Sequence, residues 1–120
     1  IYNDILGIRI IISEYSAFKI SELPKEVSIV DMTGGKANDD GYRGMHIYFQ
    51  KDHFHYPIEI QLMTSSDQMF NEWLHTYVYK YVDDNSVGAL LRAKYESGQI
   101  KTLADFRKEL RNVLLDCKKA

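Results

Sequence analysis

Between Gly41 and Thr64 the chain sets an aromatic ring, an imidazole, a carboxylate and an amide at alternating positions. Tyr42, Gly44, His46 and Tyr48 share one parity, while Arg43, Met45, Ile47 and Phe49 share the other. Beyond the polar connector KDHFHY, Glu59 and Gln61 alternate with Ile58, Ile60 and Leu62. Strand side chains point to opposite faces with period two, so one face of this predicted hairpin builds core and the other presents polar groups. Such a face can hold a polar ligand. The same alternation arises in any half-solvated antiparallel sheet, and pattern alone leaves both readings open.

Other reactive residue types stand outside the hairpin. Residues 5–13, ILGIRIIIS, form a nearly continuous β-branched apolar run with Arg9 inside it and Asp4 at its entrance. A run of this kind suits a central strand buried on both faces, where a guanidinium needs a structural carboxylate or a ligand phosphate as partner. Residues 33–41, TGGKANDDG, are the most polar and glycine-rich stretch and predict an exposed, mobile loop. Walker spacing is absent around Lys36, which leaves a plain loop or a lid whose lysine reaches a ligand phosphate. His53 and His55 fall in the hairpin turn with no further metal ligand suggested nearby, so an exposed turn accounts for them. Cys117 cannot form an internal disulfide and sits in a helical pattern, as a buried or tolerated thiol does.

The 120 residues carry a formal charge of -2, with 45% hydrophobic and 27% charged side chains. This predicts one globular domain over 1–120, and the charge argues against a general nucleic-acid or membrane-surface binder. A small anionic ligand needs only local positive charge. Without a signal peptide or a long apolar run, the expected location is the cytoplasm. The chain has no initiator Met and opens close to a strand signal, which predicts further elements upstream. A homo-oligomer is compatible with the sequence, which does not decide the oligomeric state.

Four elements must position these groups before a helical final third. VSIVDM (27–32) is a short strand candidate, and residues 14–26 predict a loop or short helical turn broken at Pro24. Ser65, with Gln68 three residues on, has capping-box spacing for a helix whose stripe is Phe70, Trp73, Leu74, Tyr77, Val78, Tyr81 and Val82. Asn71, His75 and Tyr79 line the edge of that stripe, where they could rim the core or reach a cleft. DDNS (83–86) caps a second helix ending near Gly98, and Thr102 with Asp105 caps a third. The Lys and Arg residues of this final third predict a solvated face. Strands followed by helices indicate an α+β (mixed α/β) domain, a sheet with helices packed across it.

Taken in order, NDILGIRIII, GYRGMHIYF, PIEIQLMT and WLHTYVYK resemble the RelA/SpoT-type alarmone synthetase domain of the nucleotidyltransferase superfamily. That pattern has an Asp before Gly-(hydrophobic)-Arg, then Gly-Tyr-Arg-x-x-His, then Glu-(hydrophobic)-Gln-(hydrophobic)-x-Thr, then a helix with His and Tyr-Lys. The resemblance implies a nucleotidyltransferase-like mixed sheet and transfer of pyrophosphate from ATP to the ribose 3′-hydroxyl of GDP or GTP with Mg²⁺. It also implies Asp4 and Glu59 as metal-binding carboxylates, Glu59 being the first candidate for the base, and Tyr42 as the ring that stacks on guanine. Arg43 and His46 would contact phosphate or position substrate; Gln61, His75, Tyr79 and Lys80 would support. Strict alternation would turn Asp4 with Leu6 and Ile8, so the resemblance places it at the strand's mouth or on an irregularity. The pattern departs at Asn38, Asp39 and Asp40, where a lysine and an asparagine are common, and at Met63, where an arginine is. These departures reduce positive charge, and Asp40 should repel a polyphosphate. They motivate two alternatives: a pyrophosphotransferase with another nucleotide or an RNA end as acceptor, and a degenerate module that binds nucleotide or protein without catalysis.

Overall fold

The computed structural model describes residues 6–18, 24, 26–52 and 57–119. Asp4, His53, His55 and the side chain of Cys117 lie outside the described residues. The chain divides into two compact units, Ile1–Gly34 with Arg43–Gln68, and Gly35–Tyr42 with Met69–Ala120. The architecture is α+β, with a mixed sheet in the first unit and helices in the second.

Among the described residues the sheet has four strands: β1 (Leu6–Ile12), β2 (Val27–Asp31), β3 (Met45–Phe49) and β4 (Ile58–Thr64), in the order β1-β4-β3-β2. β3 and β4 pair antiparallel, as the two alternating segments predict, with Tyr48 opposite Glu59 and His46 opposite Gln61. β2 adds antiparallel to β3, and β1 parallel to β4. Met45, Ile47 and Leu62 are buried on the apolar face, against Ile12, Phe18, Val27, Ile29 and Ile60.

β1 is not the central strand that its composition predicts. Among the described strands it stands at the edge, where Ile8, Ile10 and Ile11 are 47%, 42% and 43% exposed and Arg9 is exposed too. A β-branched run records what a strand can bury, not how many neighbours pair with it. The exposed Arg9 therefore needs no buried counter-charge. The segment after β1 makes one short helical turn, Tyr15–Ala17, tied down where the Tyr15 hydroxyl donates to Asp67 at 2.7 Å.

The helices are α1 (Ser65–Leu74), α2 (Asn85–Glu96) and α3 (Leu103–Lys119). α1 is capped one residue earlier than the spacing predicts: Thr64 Oγ1, not Ser65, accepts the Asp67 amide at 3.2 Å. α1 continues into a π turn, His75–Tyr79, instead of running regularly to Val82. This wider turn breaks the 3.6-residue phase. Tyr81, expected on the apolar stripe, is consequently 76% exposed, while Val82 still packs on the core. α2 is capped by Asp84, which accepts from the Ser86 amide at 2.9 Å, and α3 by the reciprocal pair of Thr102 and Asp105. Phe70, Leu74, Val78, Val87, Leu91, Ile100, Phe106 and Val113 form the helical core. No helix among the described residues is long and apolar enough to cross a membrane.

Candidate functional site

The sheet register assembles the first group of polar residues. Gly7, Glu59, Tyr48 and Ser28 form one row across the polar face, and Arg9, Gln61, His46 and Val30 form the next. Glu59 stands where the rows meet: its Oε1 accepts from Gln61 Nε2 at 2.7 Å, and its Oε2 lies 3.8 Å from His46 Nδ1. The Tyr48 hydroxyl hydrogen-bonds the same carboxylate and lies 3.2 Å from His46 Nδ1. Its single hydrogen goes to Glu59, so Nδ1–H must donate to the Tyr48 oxygen. A neutral His46 then carries its lone pair on Nε2.

Burial pushes the Glu59 carboxyl upward, but the Gln61 and Tyr48 hydrogen bonds and the neighbouring His46 outweigh it and hold the group below its ordinary range. Burial, reinforced by the Glu59 charge, raises Tyr48, which keeps it a donor. Gly7, the register partner of Glu59, leaves open space, with no atom within 4 Å of where a Cβ would stand. The result is an ionised carboxylate held in one orientation on the polar sheet face, its side chain 17% exposed.

The second group belongs to the helical unit. The TGGKANDDG stretch (33–41), expected to be an exposed and mobile loop, is exposed at Gly34 and at residues 36–38, and helical side chains hydrogen-bond its end. Arg92 Nε donates to the Gly41 carbonyl at 2.7 Å, and the Tyr79 hydroxyl donates to the Asp40 carbonyl at 3.0 Å. Two carboxylates fold the loop on itself: Asp39 accepts from the Gly41 amide at 3.0 Å and Asp40 from the Tyr42 amide at 3.2 Å. Asp40 also pairs with Lys36 Nζ at 3.1 Å. That pairing balances the Asp40 charge which the sequence sets against a polyphosphate. Lys36 Nζ further lies 5.4 Å from the centre of the Tyr42 ring.

The expected residues are shared between the two units. His46, Glu59 and Gln61 come together, with Arg9 in the Gln61 row; Lys36 and Tyr42 come together on the loop. Arg43 is buried just before β3, and His75 is exposed on the π turn, apart from the Asn71 and Tyr79 contacts with which its spacing groups it. Met63, at the position where an arginine is common, is 2% exposed and has no place for a solvated charge. Tyr48 and Arg92 were not singled out from the sequence. Tyr48 shares parity with His46, which is a usable signal. Arg92 falls on the same face of α2 as Val87, Gly88 and Leu91, so helical periodicity marks it as buried rather than solvated.

No protein-family model and no curated protein sequence matches the chain. Among solved structures, it is similar to the small alarmone synthetase 1 from Bacillus subtilis bound to its product pppGpp, with a TM-score of 0.50 and 19% identity over 92% of this chain and 61% of that one. It also matches another structure of that synthetase, with a TM-score of 0.48, 20% identity, and 95% and 64% of the two chains covered. Small alarmone synthetase 2 from Bacillus subtilis matches with a TM-score of 0.43 and 24% identity, over 94% and 64% of the two chains. The chain thus shares the fold of the product-bound synthetase and spans about three fifths of that protein's length.

Proposed function

We propose that the protein transfers pyrophosphate from ATP to the ribose 3′-hydroxyl of GDP or GTP in a Mg²⁺-dependent reaction. The observation that carries this reading is the Glu59 carboxylate, held ionised by Gln61 and Tyr48 beside His46 on the polar sheet face. The four ordered motifs support it, as does the fold shared with a synthetase whose structure holds pppGpp.

In this reaction the 3′-oxygen bonds to the β-phosphorus of ATP, the bond to the α–β bridging oxygen breaks, and AMP leaves. Glu59 accepts the 3′-hydroxyl proton or holds the ion. Its lowered carboxyl favours the ion-holding role, because a general base works best with a pKa near the operating pH. His46, in its protonated form with an N–H on Nε2, and the exposed Arg9 contact phosphate, Gln61 and Tyr48 fix the carboxylate, and Tyr42 stacks on the acceptor purine. Lys36 serves phosphate once it leaves Asp40, while Arg43 and His75 support substrate binding.

No group of three or more His, Cys, Asp or Glu is gathered among the described residues as a metal cage. Glu59, with Asp4 from the first motif, would instead hold an Mg²⁺ ion, a hard ion that one or two carboxylates and substrate phosphates suffice to bind. Bound there, the ion would neutralise charge developing on the transferred group.

The buried Met63 favours a second reading, in which the acceptor is another nucleotide or an RNA end. Incubation of the protein with β-labelled ATP, Mg²⁺ and GDP, GTP or RNA separates the readings. Label on a guanosine nucleotide supports the first and label on RNA the second. No transfer to any acceptor, with nucleotide binding unchanged in Glu59→Gln, sinks both and leaves a binding module.

A further inference from the structure

We propose that Arg92 and Tyr79 are positioning residues for Tyr42, acting through the two backbone carbonyls that precede it; this rests on the reading of Tyr42 as the purine platform. Their donors reach consecutive peptide units, Tyr79 to Asp40 and Arg92 to Gly41. Two consecutive carbonyls, one held from the π turn and the other from α2, fix the direction in which the chain enters Tyr42.

The local backbone makes this grip specific. Gly41 has φ +94, in the left-handed region, and a Cβ there would meet the Gly88 carbonyl and Leu74. From the other side, a Cβ on Gly88 would collide with the Asp40 carbonyl. Loop and α2 backbones therefore touch without side chains between them, and the hydrogen bonds set their register.

Arg92 is 1% exposed, so its guanidinium has lost its water. It is steadied by Asn71 Oδ1 at 3.0 Å and by the Phe70 and Tyr95 rings, whose centres lie 4.5 and 5.6 Å away. A methionine would fill this volume without desolvating a charge. What a methionine cannot do is donate to Gly41. Tyr79 is suited in the same way: burial and the Asp40 charge raise its hydroxyl above the ordinary value and keep it a donor.

The test is calorimetric titration of the full chain with GDP, for wild type, Tyr42→Ala, Arg92→Lys, Tyr79→Phe and the two double variants with Tyr42→Ala, each checked for a cooperative thermal melt. Arg92→Lys and Tyr79→Phe should each weaken GDP binding about tenfold, and neither should weaken it further in the Tyr42→Ala background. A purely structural role predicts the same loss in both backgrounds. Wild-type affinity in both single variants, or full additivity in the doubles, overturns the proposal while Tyr42→Ala still shows the platform. GDP binding unaffected by Tyr42→Ala, or absent in wild type, overturns the platform and the proposal with it. If Arg92→Lys does not melt cooperatively, the Tyr79→Phe cycle decides alone.

Discussion

Arg92 donates its Nε hydrogen to the carbonyl of Gly41 across 51 residues of sequence, joining the second helix to the loop that ends in Tyr42. That bond and the Gly88 contact beside it tie the end of a polar, glycine-rich stretch to α2.

Gly88→Ala should therefore destabilise the protein. In an unobstructed helix this change stabilises by about 1 kcal/mol. Here the added methyl would collide with the Asp40 carbonyl, and overpacking of this kind costs about 1–3 kcal/mol. Denaturant unfolding should show a net loss, while Gly34→Ala, which meets no atom within 4 Å, should stay within about 0.5 kcal/mol of wild type.

Glu59 should set part of the acid limit of stability. Its carboxyl titrates lower in the folded chain than in the unfolded one. Its contribution is thus complete above the unfolded carboxyl's range and is lost as pH falls through the folded value. Melting temperatures followed from about pH 7 to about pH 3 should fall less steeply in Glu59→Gln than in wild type. Other lowered carboxyls, among them Asp31, Asp84 and Asp105, are common to both proteins and cancel in the difference. Parallel curves would show that the carboxylate is not held as described.

The helical core should depend on Phe106, which is fully buried with its ring 5.4 Å from Phe70 and 5.6 Å from Trp73. Phe106→Ala should cost about 3–5 kcal/mol by chemical denaturation. Leu115→Ala, at a side chain 49% exposed, should cost less than about 0.5 kcal/mol.

The parts of this structure that were legible in the sequence depend on neighbouring residues in the chain. Period-two alternation placed His46, Glu59 and Gln61 on one face, and Asp84, Thr102 and Asp105 marked helix starts, because each pattern is set within a few residues. β1 was misplaced because its pairing depends on strands distant in sequence, and apolar content does not count partners. Tyr81 was misplaced because 3.6-residue periodicity does not reveal a π turn. The contacts at the end of the 33–41 loop were not legible because the groups that make them, Tyr79 and Arg92, lie about 40 to 50 residues away. Asp4, which the first motif pairs with Glu59, lies outside the described residues.

The most direct measurement is transfer of label from β-labelled ATP to GDP, GTP or RNA in Mg²⁺, by wild type and by Glu59→Gln, with GDP binding followed in parallel. The account predicts label on the guanosine nucleotide in wild type, and a loss of at least about 100-fold in Glu59→Gln with its cooperative melt retained. Transfer at the wild-type rate by Glu59→Gln, or no transfer by wild type to any acceptor, would contradict it.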